Sequence, residues 1–103
     1  MFSDGFAFGL PPRDWALDAY LHLLEELAPG APWMVAGLQV DVTPLIAPAV
    51  SAGGHVRVGL EDAPFHDTRR NVDWAEAAAT AILRAGGTQG SPAQVRAALA
   101  RGR

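Results

Sequence analysis

The sequence has no cysteine among its 103 residues, which excludes disulfides, thiolate nucleophiles and cysteine-based zinc sites. Any bound metal must therefore use His, Asp or Glu as ligands. Clusters of basic residues are also absent, and the formal net charge is -3. A nucleic-acid-binding surface needs several cations on one face. We therefore expect no nucleic-acid partner.

Long hydrophobic runs are missing as well. No stretch approaches the ~20 apolar residues that span a bilayer, and Met1 to Gly9 lacks the basic and apolar regions of a secretory signal. These absences predict a cytoplasmic protein with no membrane partner. With 50% hydrophobic and 18% charged residues, the composition is that of a folded α/β protein. The length predicts one domain over residues 1–103.

Apolar patterning predicts an alternation of strands and helices. Uninterrupted apolar runs are typical of strands buried in a parallel sheet, and apolar residues spaced by three or four indicate helices that pack on it. The predicted strands are 6–10, 33–38 and 55–61, and the predicted helices are 13–28, 43–52, 73–85 and 91–100. Leucines spaced by three or four mark the first helix, and Ser91-Pro92-Ala93-Gln94 has the capping-box pattern that begins the last. This order favours parallel pairing through right-handed crossovers. Because three strands leave both sheet edges open, we expect further strands to precede Met1.

The predicted strand at 55–61 carries polar residues on one face. Strict alternation places Val56, Val58 and Leu60 on one side, towards the outer helices of a barrel, and Arg57 and Glu61 on the other, with Asp62 next in the chain. Burying such ions costs several kcal/mol each unless they are paired or bound to a metal. In a barrel, this face would line the interior, with the two acids at the carboxyl-terminal rim where barrel enzymes keep their active sites.

These residue types suggest chemistry without reference to any family. The carboxylate of Glu61 can ligate a metal, and Asp62 can pair with Arg57 to accept a proton beside a polarised carbonyl. The alternative is an ion pair that only stabilises the end of a strand. The histidines are more simply explained as structural or solvated residues than as ligands: His22, His55 and His66.

The stretch from Gly53 to Asp62 reads G-G-H-V-R-V-G-L-E-D. It resembles the signature near the end of the beta-keto acid cleavage enzymes. The segment 33–37 is similar to the preceding strand of that family, and 91–96 is similar to its closing helix. Asn71 stands where the family usually has an Asn that opens the next helix. The likeness thus covers nearly the whole chain.

The resemblance implies an α/β fold, the C-terminal part of a TIM (β/α)₈ barrel with about three β/α units. It also implies a zinc-dependent acyltransferase, homo-oligomeric when intact, that cleaves a beta-keto acid with acetyl-CoA to give acetoacetate and a new acyl-CoA. By position, Glu61 corresponds to the carboxylate metal ligand of the family. Arg57 and Asp62 correspond to the pair that helps to deprotonate the substrate.

Two departures from the family pattern matter. The other metal ligands of the family form a His-x-His, which this sequence lacks, and Ala63-Pro64-Phe65 stands where Asn and Tyr are common. With one ligand, the isolated chain is expected to bind zinc weakly and to have no cleavage activity. The alternative function is that of an inactive truncated barrel fragment, a structural or interaction module that pairs through its open strand edges.

Overall fold

The computed structural model describes residues 1–6 and 9–102 of the chain. Its elements are α1 (Asp14–Leu27), β1 (Met34–Val35), a 3₁₀ turn (Thr43–Leu45), α2 (Ile46–Ser51), β2 (His55–Val56), α3 (Asn71–Arg84) and α4 (Pro92–Arg101). Helices and strands alternate as far as α3, which confirms the predicted α/β class. None of the helices in the described ranges is long and apolar enough to cross a bilayer.

The two strands pair in parallel, as the sequence predicted. The aligned residues are Met34 with His55 and Val35 with Val56. Backbone bonds extend this ladder, since the N–H of His55 donates to Trp33 and that of Arg57 donates to Val35, each at 2.9 Å. The chain returns to the sheet through the 3₁₀ turn and α2, the crossover that parallel pairing requires. The carboxyl ends of both strands therefore lie at one edge of the sheet.

The strand predicted at 6–10 is absent from its described residues, of which only Leu10 pairs, in an isolated bridge to Phe2. Phe2 bridges Gly37 and Leu10 in parallel, and the intervening residues 4–6 and 9 form bends, while 7 and 8 lie outside the described residues. Tyr20 of α1 fixes this arrangement. Its ring meets Phe2 edge-on at 5.1 Å, its hydroxyl donates to the Met1 carbonyl, and it accepts from the N–H of Leu10.

The predicted strand at 55–61 is shorter than expected. Regular pairing ends at Val56, and a turn begins at Gly59. The carbonyl of Gly59 accepts from the N–H groups of Asp62 and Ala63 at 3.2 and 3.1 Å. A carbonyl that is bonded locally cannot join a ladder. Glu61 therefore lies on this turn and not on the strand, and Leu60, predicted to face the outer helices, is exposed.

The core lies between α1, the strands and α2. Its buried cluster comprises Phe2, Ala16, Leu17, Val35, Val40, Val42, Leu45 and Ala49. Trp74 and Ala78 bury one face of α3, which packs against α2. By contrast, α4 buries no residue, although the predicted capping box is present between Ser91 and Gln94. The start predicted for α3 is two residues late, since α3 begins at Asn71.

The described residues form an open sheet, not a closed barrel. The family resemblance implies a closed barrel, which the described residues do not form by themselves. The fold does place the residues that follow the carboxyl end of β2.

Candidate active site

Arg57 brings both predicted acids together just beyond β2. Its Nη2 donates to Oδ1 of Asp62 at 3.0 Å and to Oε2 of Glu61 at 3.2 Å. The Asp62 side chain is only 8% exposed, whereas that of Arg57 is 48% and that of Glu61 is 86% exposed. The three residues singled out from the sequence therefore form one cluster with a buried and an exposed acid.

The alternation of side chains along the strand explains why Arg57 points towards the two acids. Val56 and Val58 pack against the core on the other side of the chain, while His55 and Arg57 are exposed. The backbone N–H of Arg57 is held by Val35 of β1. The pleat of the paired strand thus sets the direction of the guanidinium.

The turn that carries the acids is tied down at both ends. At its start, the N–H of Leu60 donates to Oδ1 of Asn71 at 3.3 Å, which links the turn to the first residue of α3. At its end, the carbonyl of Asp62 accepts from the N–H of Val40 at 3.2 Å, which links it to the segment after β1. Two neighbouring connections therefore place the backbone of Glu61 and Asp62.

Asp62 has acceptor capacity beyond its bond to Arg57. Its Oδ2 is buried and has no hydrogen-bond partner among the described residues. Leaving a buried carboxylate oxygen unpaired is costly, and such groups are found disproportionately at functional sites. The cluster of one guanidinium and two carboxylates carries a net negative charge. It suits a proton acceptor better than an anion-binding site.

Arg69 forms a second ion cluster that the sequence did not predict. It bonds Asp67 with its Nη2 at 2.6 Å, approaches Asp41 at 3.8 Å, and stacks on the buried ring of Trp74 at 3.6 Å. The hydrogen bond from Arg69 lowers the pKa of Asp67, and Asp67 in turn raises the pKa of Arg69. The cluster joins the segment after β1 to the loop after β2. The spacing Asp67-x-Arg69 is a local signal, but the ring contact is not visible in the sequence.

A hydrogen-bonded pair also marks the beginning of α3. Asp73 accepts from the backbone N–H of Arg70 at 2.8 Å and from its guanidinium. The pKa of Asp73 is lowered, mainly by the hydrogen bond from the guanidinium of Arg70. The sequence predicted Asp73 near a helix start, and the structure makes it the third residue of α3.

The described residues alone do not fit a zinc site. Among them there is no group of three or more His, Asp or Glu side chains placed to hold a metal ion. The three histidines are all exposed, on α1, at the start of β2 and in the loop after the acids: His22, His55 and His66. Structural and catalytic zinc sites need at least three protein ligands. Within the Arg57 cluster, Glu61 is the acid exposed enough to serve as one of them.

The loop after the acids exposes apolar side chains. Ala63 is buried, whereas Phe65 and Leu60 on either side of the acids are exposed. The family resemblance leads one to expect Asn and Tyr soon after the acids, where this chain has Ala63-Pro64-Phe65. The loop therefore offers a different surface from the family pattern.

A parallel α/β arrangement with a charged cluster beyond the carboxyl end of a strand is typical of α/β enzymes, which keep their active sites at this edge. Comparison with known proteins narrows the class. The model of the beta-keto acid cleavage enzyme family matches residues 1–100. The chain therefore belongs to the beta-keto acid cleavage enzyme family.

One curated relative is the 3-oxoadipate:acetyl-CoA acetyltransferase of Cupriavidus necator, which is 38% identical over 61 residues. The match covers 59% of this chain and 22% of the relative. The chain thus spans about a fifth of the length of the curated relative that it matches. No solved structure is similar to the chain at a significant level.

Proposed function

We propose that this chain supplies the Arg57–Asp62 pair and Glu61 to the active site of a (β/α)₈-barrel acyltransferase that cleaves a beta-keto acid. The observation that carries this proposal is the 3.0 Å contact between Nη2 of Arg57 and Oδ1 of the buried Asp62, just beyond a parallel strand. The remaining strands of the barrel would correspond to the part of the relative that this chain does not match.

The proposed reaction exchanges acyl groups between two substrates. A beta-keto acid loses a proton from the carbon between its two carbonyl groups, and the resulting carbanion forms a bond to the acetyl carbon of acetyl-CoA. The CoA thiolate leaves and attacks the original keto carbon. The bond between that carbon and the former carbanion then breaks, and the departing carbon takes up a proton. The products are acetoacetate and a new acyl-CoA.

This chemistry balances without an oxidant or a reductant. What the protein must supply is a base for the first proton and a positive charge near the oxygen that becomes negative. We assign the base to Asp62, because Arg57 holds its Oδ1 while its buried Oδ2 has no partner among the residues that the structure describes. Arg57 orients the carboxylate, and its half-exposed guanidinium can also stabilise negative charge on the substrate.

Glu61 is proposed as one metal ligand in the assembled barrel. Its side chain is 86% exposed and so can turn from Arg57 towards a cation. The other ligands would come from residues outside this chain, because the described residues do not complete a site. No step above is therefore assigned to the metal.

For the co-substrate we propose acetyl-CoA. The Cupriavidus relative is named for 3-oxoadipate and acetyl-CoA. Only the class of the second substrate, a beta-keto acid, is carried over to this chain.

A chimera tests the assignment directly. Residues 1–103 would replace the matching part of the Cupriavidus acetyltransferase, and the purified protein would receive 3-oxoadipate and acetyl-CoA labelled with 13C at its carbonyl carbon. We expect the label in acetoacetate and not in the new thioester. Asp62→Asn should lower kcat by roughly a thousandfold, the usual worth of a general base. Glu61→Gln should lose bound zinc, as measured by metal analysis.

The matched control is Asp73→Asn. Asp73 is also paired with an arginine, but it lies at the start of α3, away from the cluster. Its substitution should leave kcat within a few-fold of the unchanged chimera. Equal turnover in the Asp62→Asn and unchanged chimeras would refute the proposal.

A second candidate, a non-catalytic interaction module, is favoured by one feature. The groove between α1 and β1 exposes large apolar side chains, namely Leu23, Leu27 and Met34. Exposed apolar patches of this kind mark surfaces that another polypeptide covers. The same groove would be covered in a complete barrel, so the chimera also separates the two candidates.

A further inference from the structure

The start of the turn that carries both acids depends on a side chain outside the charged cluster. The carbonyl of Gly59 is occupied by the N–H groups of Asp62 and Ala63. The N–H of Leu60 donates to Oδ1 of Asn71 at 3.3 Å. The described residues show no second protein acceptor for this N–H. The side chain of Asn71 thus closes the turn from outside.

The fit of Asn71 against the turn is close. A Cβ atom built on Gly59 would lie 3.1 Å from Oδ1 of Asn71, closer than nine in ten real Cβ contacts. The amide oxygen therefore rests against the backbone of both Gly59 and Leu60. Because Asn71 is the first residue of the 14-residue helix α3, it ties the turn to the rigid helix that packs on α2.

We propose that Asn71 is a positioning residue that keeps Glu61 and Asp62 beside Arg57. This inference rests on the proposed function, in which those side chains react. Asp62 is also anchored through its carbonyl by Val40, whereas Glu61 is exposed and, within the part of the chain that the structure describes, only its contact with Arg57 directs its side chain. Loss of the Asn71 bond frees the start of the turn. A displacement of about 1 Å at reacting groups can lower turnover a hundredfold.

The test on the 103-residue chain uses NMR and needs no activity. In Asn71→Ala, the Leu60 amide should exchange with solvent about two- to tenfold faster, the worth of one hydrogen bond. The amides of Glu61 and Asp62 should show lower 15N order parameters. Asn71→Asp keeps an acceptor oxygen of the same reach and should restore both signals. Val72→Ala, at the next and exposed position of α3, should leave them unchanged.

A helix-stability effect is separated by Asp73→Ala, which removes the bonds to Arg70 at the start of α3 but not the Asn71 contact. If Asp73→Ala changes the Leu60, Glu61 and Asp62 amides as much as Asn71→Ala does, Asn71 acts only on the helix and the inference is overturned. Unchanged amides in Asn71→Ala would overturn it as well.

Kinetics in the chimera give the second readout. Asn71→Ala should lower kcat about tenfold or more with little change in the KM for acetyl-CoA, and Asn71→Asp should recover most of it. If Asp62→Asn abolishes turnover while Asn71→Ala does not alter it, the proposed function stands and the positioning role fails. If Asp62→Asn has no effect, the proposed function itself fails, whatever the NMR shows.

Discussion

Arg69 and Asp67 form the tightest ion pair among the described residues. Three hydrogen bonds join the guanidinium to both carboxylate oxygens, at 2.6, 2.9 and 3.0 Å, and a fourth runs from the Arg69 backbone. Bidentate geometry of this kind orients both partners. Since Arg69 also stacks on Trp74, the pair fixes the loop that leads from the proposed site to α3.

This pair should make stability depend on pH. The pKa of Asp67 is lowered in the folded chain, mainly by the hydrogen bond from Arg69. The stabilisation is therefore complete above the unfolded pKa of about 3.9 and is lost as the pH falls through the lower folded value. Unfolding by urea at pH 7 and pH 3 should show a smaller loss of stability for Asp67→Asn than for the unchanged chain.

An exposed acid provides the control for this measurement. Asp18 lies on the solvent side of α1, and Asp18→Asn should keep the full pH dependence. An Asp67→Asn variant that loses as much stability at pH 3 as the unchanged chain would contradict the role of the pair.

Individual residues differ in how far the sequence reveals them. Arg57, Glu61 and Asp62 could be found because charged residues interrupt an otherwise apolar sequence pattern, although only Asp62 is buried in the structure. The contact of Arg69 with Trp74 could not, because it depends on how a loop folds back over α3. Asn71 was visible only as part of a resemblance. Its bond to Leu60 crosses 11 positions of sequence.

At the scale of the elements, the connection from α2 to β2 is closely packed against the residue that precedes β1. A Cβ atom on Gly54 would overlap the ring of Trp33, which precedes β1. The N–H of Gly54 also donates to the carbonyl of Ala49 at 2.8 Å, and this bond closes the end of α2. The glycine is needed here for close approach, so that β2 can lie against β1.

Gly54→Ala should therefore destabilise the chain by about 1–3 kcal/mol, the usual cost of overpacking. Chemical unfolding followed by tryptophan fluorescence would measure the change. Gly90→Ala is the matched control, because a Cβ at that position makes only an ordinary contact with Val95 at 3.6 Å. Equal stability of the two variants would show that the Trp33 ring can move aside at no cost.

Helices were easier to predict than strands. The three- and four-residue spacing of leucines placed α1, and Ser91-Pro92 placed the start of α4, because both signals are local. Strand limits depend on partners. Phe2 pairs because Tyr20 holds its neighbours, and β2 stops early because Gly59 bonds within its own turn. Tyr20 and Gly59, which set these limits, both lie outside the paired residues.

The molecule as a whole exposes more surface than its mass requires. A folded monomer of 10.8 kDa has an accessible surface of roughly 5,500 Å² by the usual scaling, whereas this chain exposes 7017 Å². The excess of roughly 1,500 Å² is nearly twice the ~800 Å² that each partner buries in a stable interface. It fits a proposed barrel segment whose sheet edges and apolar groove need cover.

The isolated chain should therefore associate. Light scattering at tens of micromolar should give a mass above 10.8 kDa, and a dye that binds apolar surfaces should fluoresce with it. In the chimera, where the rest of the barrel covers the groove, the dye signal per molecule should fall. A monodisperse monomer of the isolated chain that binds no dye would contradict the open-surface interpretation.

The most direct measurement follows the first proton. The chimera is placed in D₂O with 3-oxoadipate and no acetyl-CoA, and proton NMR records the exchange of the hydrogens between the two carbonyl groups. If Asp62 is the base, the chimera accelerates this exchange over buffer, and Asp62→Asn returns it to the buffer rate. Exchange that is equally fast in both proteins would show that the proton goes elsewhere and that the Arg57–Asp62 pair is only an ion pair at the end of a strand.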